Sequence, residues 1–266
     1  MASRAPRSSG TASHGWRWAV VGAIVGALAT LTLFAPARWL ADVLREQTQG
    51  HLVLVNPRGT VWNGVAGVVF SSGVGGNESI SLPGLLTWKL RPAWNGMSAA
   101  LDLPCCATQP LGFVAQPQAS GLRLAWRDGQ SRWPAAMLTG FGAPFNTLKP
   151  EGVLDLSTRA FTMQVKADQL ALDGRATLDA TDISSSLSTL RPMGSYRLIL
   201  EGGPAPSLIL ATREGSLQLS GSGQWNGRAL RFSGEASAAP GREAALSNLL
   251  NIIGRRDGAR SLITLG

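Results

Sequence analysis

Histidine, cysteine, lysine and tyrosine are all scarce in this chain of 266 residues, and each shortage narrows what it can do. Histidine occurs only at 14 and 51, with a long apolar run between them. If that run crosses a membrane, the two rings lie on opposite sides, and no histidine pair can hold a metal ion or run a Ser-His-Asp relay. The two cysteines are neighbours, Cys105 and Cys106. Metal sites ask for ligands spaced as in C-x-x-C with partners elsewhere, and none follow. The pair reads as two small loop residues after Pro104, with a strained vicinal disulfide in an oxidising compartment as the alternative.

Catalytic signatures are missing too. No serine sits in G-x-S-x-G, and there is neither a P-loop nor a dinucleotide fingerprint leading into a βαβ unit. Ser220-Gly221-Ser222-Gly223 reads as a glycine-rich turn between strands, without the helix that would hold a phosphate. Asp168, Asp173, Asp179 and Asp182 form a loose run that fits neither an EF-hand nor a paired acid and base, and reads as a solvated polar face. No catalytic residue, metal ligand or cofactor is expected, and the chain is not expected to be an enzyme.

Charge is of one sign in excess, with 24 basic residues against 16 acidic ones and a net +8. Only Lys89, Lys149 and Lys166 are lysines, and the arginines are dispersed. The tightest group, Arg255, Arg256 and Arg260, lacks interleaved aromatics, so nucleic acid is not an expected partner. An anionic lipid surface suits the charge better.

What the chain does possess begins with Ala19–Phe34, which carries no charge. With Trp16 and Trp18 it makes about 18 residues of apolar helix, roughly 27 Å long, near the lower limit for a bilayer core. Gly22 and Gly26 form a small-xxx-small pair that would let another membrane helix approach. Arg4, Arg7 and Arg17 precede the run and the first acid is Asp42, so the N-terminus is expected in the cytoplasm and the remainder outside it. Ala35-Pro36-Ala37 loosely resembles a cleavage site, but the run is too long for a signal-peptide core and a proline sits inside the site. A retained anchor is the expectation.

Beyond the anchor, Trp39, Leu40, Val43 and Leu44 have helical spacing, with Gly50 as a stop. Their stripe would rest on the membrane surface or on the domain. From Leu52 onward the period becomes two, as at Leu154-Asp155-Leu156, Phe161–Val165, Leu170–Leu172, Leu198–Leu200, Leu208–Leu210, Leu217–Leu219 and Leu230–Phe232. Such alternation predicts antiparallel strands with one buried face. Asp173-Gly174 and Gly202-Gly203-Pro204 read as turns. Trp62-Asn63-Gly64, Trp94-Asn95-Gly96 and Trp225-Asn226-Gly227 each predict a hairpin, Asn-Gly supplying a type I′ turn and the tryptophan ending a strand.

Two short helices are expected within the strands. Ser131–Gly140 has Pro134 near its start. Arg242–Gly254 places Leu246, Leu249, Leu250 and Ile253 on one stripe, to pack on the sheet or dock a partner. The predicted architecture is mainly β, an antiparallel twisted sheet or sheets with a few short helices behind one transmembrane helix. Residues 1–15 form a cytoplasmic tail, 16–35 the membrane helix and 36–266 the β domain, with a further division into halves of about 50–145 and 146–266.

Several stretches resemble the type II secretion system protein N family. They are Gly59–Gly64; Leu82-Pro83-Gly84 with Trp88 and Leu90; and Gly142-Ala143-Pro144 with Asn146-Thr147-Leu148. Pro150-Glu151-Gly152, Pro192–Tyr196 and Asn248–Arg256 follow in order. The resemblance implies an accessory inner-membrane component of the general secretion pathway, which moves folded proteins from the periplasm across the outer membrane of Gram-negative bacteria. Its implied partners are the platform proteins L and M, with C as a further candidate, and it carries no known catalytic residues. A looser similarity links the chain to the AsmA-like membrane-anchored β proteins, which implies lipid binding or transfer as the alternative role. Cys105-Cys106 has no counterpart in the family pattern.

Overall fold

The structure, a computed structural model, describes residues 13–73, 78–166 and 169–266. Arg4 and Arg7, on which the expected orientation partly rests, and Asp168 lie outside the described residues, as does the side chain of His14.

Helix α1 (Ser13–Leu33) contains the apolar stretch. Trp16–Leu33 is long and apolar enough to cross a membrane, with a mean hydropathy of 1.5 and nothing in it buried against the rest of the chain. Its two threonine hydroxyls turn back onto the helix, Thr30 Oγ1 donating to Gly26 O at 2.8 Å and Thr32 Oγ1 to Leu28 O at 2.9 Å. That removes the only side-chain hydrogen-bonding groups between Ala19 and Phe34 from the helix surface. Pro36 ends the run, because a proline pushes the residue before it out of helical backbone.

Helix α2 (Ala37–Gln47) follows and closes with a left-handed Gln49-Gly50 pair, where Gly50 N donates to Arg45 O at 2.8 Å. The predicted stripe divides in two. Leu40 and Leu44 pack on the sheet beside buried Ala37 and Ala41, whereas Trp39 and Val43 face outward.

The sixteen strands of the described residues form one antiparallel sheet. In chain order they are β1 (Leu52–Gly59), β2 (Asn63–Ser71), β3 (Ser79–Ser81), β4 (Leu86–Ala93), β5 (Gly96–Asp102), β6 (Leu111–Gln118), β7 (Gly121–Trp126) and β8 (Gly129–Pro134). After a 3-10 helix, Ala135–Phe141, and the single turn α3 (Phe145–Leu148) come β9 (Glu151–Lys166), β10 (Gln169–Ser184), β11 (Gly194–Glu201) and β12 (Ser207–Gly215). Then come β13 (Leu217–Trp225), β14 (Leu230–Ala238), α4 (Glu243–Ile253), β15 (Arg255–Asp257) and β16 (Arg260–Leu265). Sequential strands are neighbours almost throughout, so the sheet is built from local hairpins. Strand β9 carries two partners along one edge: β8 pairs with Val153–Thr158 and β7 with Thr162–Lys166. The sheet therefore runs unbroken past residue 145.

Two apolar clusters sit on this sheet. One gathers α2, β1, β2 and β4 around Trp88, with Leu82, Leu103 and Cys106. The other gathers α4 with β11, β13 and β14 around Leu246, Leu249, Leu250, Met193 and Tyr196. Among the described residues, no helix makes a substantial contact with β6 or β7 between them, while Ala180 and Ile183 of β10 lie against the second cluster.

Several local expectations are corrected. Residues 131–134 pair with β9 as strand, and only a 3-10 helix follows from Ala135, because Pro134 is held in extended backbone (ψ 130°). Asp173-Gly174 is not a turn: Gly174, at φ 79°, forms a bulge inside β10. Ser220–Gly223 is likewise no turn but the middle of β13, where Gly221 lets the Phe232 ring lie against the strand. Each Trp-Asn-Gly does mark a hairpin, but none forms the expected Asn-Gly turn. At the first, Gly59 supplies the positive φ (90°) and Gly64 is already in the strand. At the second, Trp94-Asn95 is itself the two-residue loop, and neither residue has positive φ. At the third, the loop is 226–229, held by Asn226 Oδ1 accepting from Arg228 N at 3.0 Å and Ala229 N at 2.9 Å.

Candidate functional site

The residues with something to do beyond packing converge where α1 meets the sheet. Val61 N donates to Ala35 O at 2.8 Å, and Pro36 bridges to Thr60. The Trp62 indole Nε1 donates to Thr32 O at 2.7 Å, reaching one of the orphan carbonyls that end any helix. The turn carrying these contacts is itself braced. Trp88, buried at the centre of the first core, donates from Nε1 to Val61 O at 3.0 Å, and Leu90 N donates to Trp62 O at 2.7 Å.

Gly64 makes that brace possible. The Trp88 ring lies across it, and a Cβ there would fall 2.7 Å from the indole Cε2. The glycine predicted for turn geometry is required for close approach instead. Chemically the junction holds no reactive group. It transmits position: through two backbone contacts and one indole, the attitude of α1 fixes the attitude of the β1–β2 turn, and Trp88 passes it to β4.

A second feature is an apolar cleft of about 390 Å³ on the uncovered middle of the sheet. Leu101, Phe113, Leu124, Trp126, Trp133 and Leu156 line it, and Trp126 packs between Phe113 and Phe161 at ring distances of 6.4 and 5.4 Å. Beside it, Cys105 and Cys106 are joined as a vicinal disulfide, so the two-small-residues reading gives way to its alternative. Cys106 is buried in the first core and its carbonyl accepts from Arg132 N at 2.6 Å, which ties the loop to β8.

The expected site residues fall as follows. Gly22 and Gly26 have open space around them, and nothing among the described residues approaches. Leu246, Leu249 and Leu250 are all buried against the sheet, and Ile253 packs beside them. The stripe is thus already covered, and a partner meeting this helix would find the exposed Ile252. The carboxylate run is dispersed. Asp179 pairs with Arg197 at 2.7 Å and approaches Arg213 at 3.5 Å, while Asp173 and Asp182 are exposed. The hydrogen bond from Arg197 holds the Asp179 carboxyl below the usual carboxylate range. Burial pushes the Tyr196 hydroxyl up, and among the described residues it finds no partner in the second core. Among the described residues no cluster of His, Cys, Asp or Glu could hold a metal ion.

Reading the sequence alone missed the junction, because Thr32 and Trp62 lie 30 residues apart. The signal was there in another form: Gly59–Gly64 and Trp88, which carry the family resemblance, are the residues that meet there.

Fold and site together define a single-sheet β protein with one apolar helix braced against its first hairpin. The chain matches the family model for type II secretion system (T2SS) protein N over residues 50–263. It belongs to that family. No curated protein and no solved structure matches it. Membership makes it an accessory component of type II secretion that works with other parts of that system.

Proposed function

We propose that the protein is a non-catalytic assembly subunit of the type II secretion system, anchored in the inner membrane by α1, with residues 1–15 in the cytoplasm and the sheet in the periplasm. Its partners are the platform proteins L and M, with C as a further candidate. The observation that carries this reading is the brace between α1 and the β1–β2 turn. A subunit that only needed tethering could use a loose linker, whereas this one holds its sheet at a set attitude to the helix. Gly22 and Gly26, open on α1, offer a face for a platform helix.

Affinity purification of the full chain from detergent-solubilised membranes tests it. Recovery of L or M, together with impaired secretion on deletion, is expected. Recovery of neither, with secretion unchanged, contradicts the reading.

The apolar cleft supports a second role, as a lipid-binding module. Its size lies within the range of small-molecule sites, and its lining is almost wholly apolar. Native mass spectrometry of the full chain should then show a co-purifying lipid that Leu124→Glu removes. Lipid-free protein from lipid-rich membranes would end this role.

A further inference from the structure

The β4–β5 hairpin overhangs the junction. Strand β2 begins with Asn63 opposite Lys89, but β4 continues through Leu90, still bonded to Trp62 O of the turn, and then through Arg91, Pro92 and Ala93 with only β5 alongside. Four residues past Lys89 carry the hairpin about 13 Å beyond the start of β2 at the strand rise. This overhang lies at the end of the sheet from which α1 departs. Helix α2 runs back along β1 from that end, and α1, unburied throughout, does not fold over the sheet.

At the tip, Trp94 is 105% exposed, the most exposed large hydrophobic side chain described. An indole carried into water on a two-residue loop satisfies nothing within the chain. The headgroup layer of a bilayer accepts both its ring and its N–H. The hairpin's charge points the same way. No acidic residue occurs between Ser79 and Leu101, while Lys89 and Arg91, two apart and so on one face of the strand, are exposed. Among the described residues neither belongs to an ion pair. Trp39, also exposed, lies one helical turn after Pro36 at the same end.

We infer that the β4–β5 hairpin is a second membrane contact. Trp94 enters the headgroup layer of the bilayer that α1 crosses, and Lys89 and Arg91 meet the phosphates of anionic lipids. The inference rests on the proposed crossing by α1. With the helix as one point of attachment and the hairpin tip as another, the sheet cannot swing about the Ala35-Pro36 break.

Nitroxide labels on the full chain in nanodiscs of phosphatidylethanolamine and phosphatidylglycerol test it. The native cysteines are bonded to each other, so an introduced one is the sole thiol. Asn95→Cys reports the tip, Leu28→Cys the middle of α1, and Leu85→Cys the opposite end of β4. The Leu28 label should be shielded from a water-soluble nickel complex, the Leu85 label open to it, and the Asn95 label partly shielded. Adding Trp94→Ala, or replacing both lipids with phosphatidylcholine, should raise nickel contact at Asn95 several-fold and leave Leu28 unchanged. If Leu28 is shielded while Asn95 is as open as Leu85, the hairpin contact is overturned, the crossing stands and the tip is free to meet a protein. If Leu28 itself is open to nickel, the crossing fails and the hairpin contact fails with it.

Discussion

The sheet carries a helix near each end, and the two are used differently. Helix α4 buries Leu246, Leu249 and Leu250 against β14 and its neighbours, so the stripe they form is covered by its own domain. Helix α2 lies on β1 with Ala37 and Ala41 buried and Leu40 and Leu44 beside them, and leaves Trp39 and Val43 exposed beside the end of α1. Large side chains make the C-terminal core a source of stability. The alanines bring α2 close to the sheet, beside the Trp88 core on which the anchor is mounted. One architecture thus serves holding together at one end and holding in place at the other.

The contrast can be broken most forcefully at α4. Leu246→Ala, at a position 0% exposed, should cost about 2–5 kcal/mol in denaturant unfolding, as large-to-small core changes do. It should leave the attitude of α1 to the sheet unaltered, read as a label-to-label distance between α1 and β4. Gly64→Ala comes next. It pushes a methyl into the Trp88 indole and should cost about 1–3 kcal/mol. Unlike the α4 change, it should also broaden the α1–β4 distance distribution.

Trp62→Phe sharpens the comparison further. It removes the hydrogen bond to Thr32 O while keeping an aromatic ring, so the stability loss should be only about 1 kcal/mol. The distance distribution should nonetheless broaden as much as with Gly64→Ala. An unchanged distribution would mean that the indole does not hold the helix.

The smallest effect belongs to Asp179, on neither core. Its folded-state pKa is depressed by Arg197, so its contribution is present above the unfolded value, about 3.9, and is lost as pH falls through the lower folded value. Both partners are partly exposed, and solvent and salt weaken the pair. Asp179→Asn should be slightly less stable than the parent at pH 7, with the gap constant down to about pH 5 and closing below about pH 4. A gap that widens in acid would contradict the pairing.

Periodicity made much of this legible. The alternation at Phe161–Val165 and Leu217–Leu219 gave the strands, and the i, i+3, i+4, i+7 spacing gave α4, because both patterns are local. Glycine was legible as a special residue but not for its reason. At Gly64 the requirement comes from Trp88, 24 residues on, and at Gly221 from Phe232 in the next strand. A short-range turn rule cannot distinguish close approach from positive φ. The helix–sheet junction was hidden for the same reason, its partners being an indole and a carbonyl that only the folded chain brings together. Trp94 shows the converse, since nothing local indicates that one of three similar tripeptides is left wholly in water.

The most direct test is topological. Alkaline phosphatase fused after Gly266 should be active in intact cells, and a fluorescent protein that matures only in the cytosol should stay dark at the same position. A bright fluorescent fusion with an inactive phosphatase would contradict the account, because the sheet, its disulfide and its braced helix would then lie on the wrong side of the membrane.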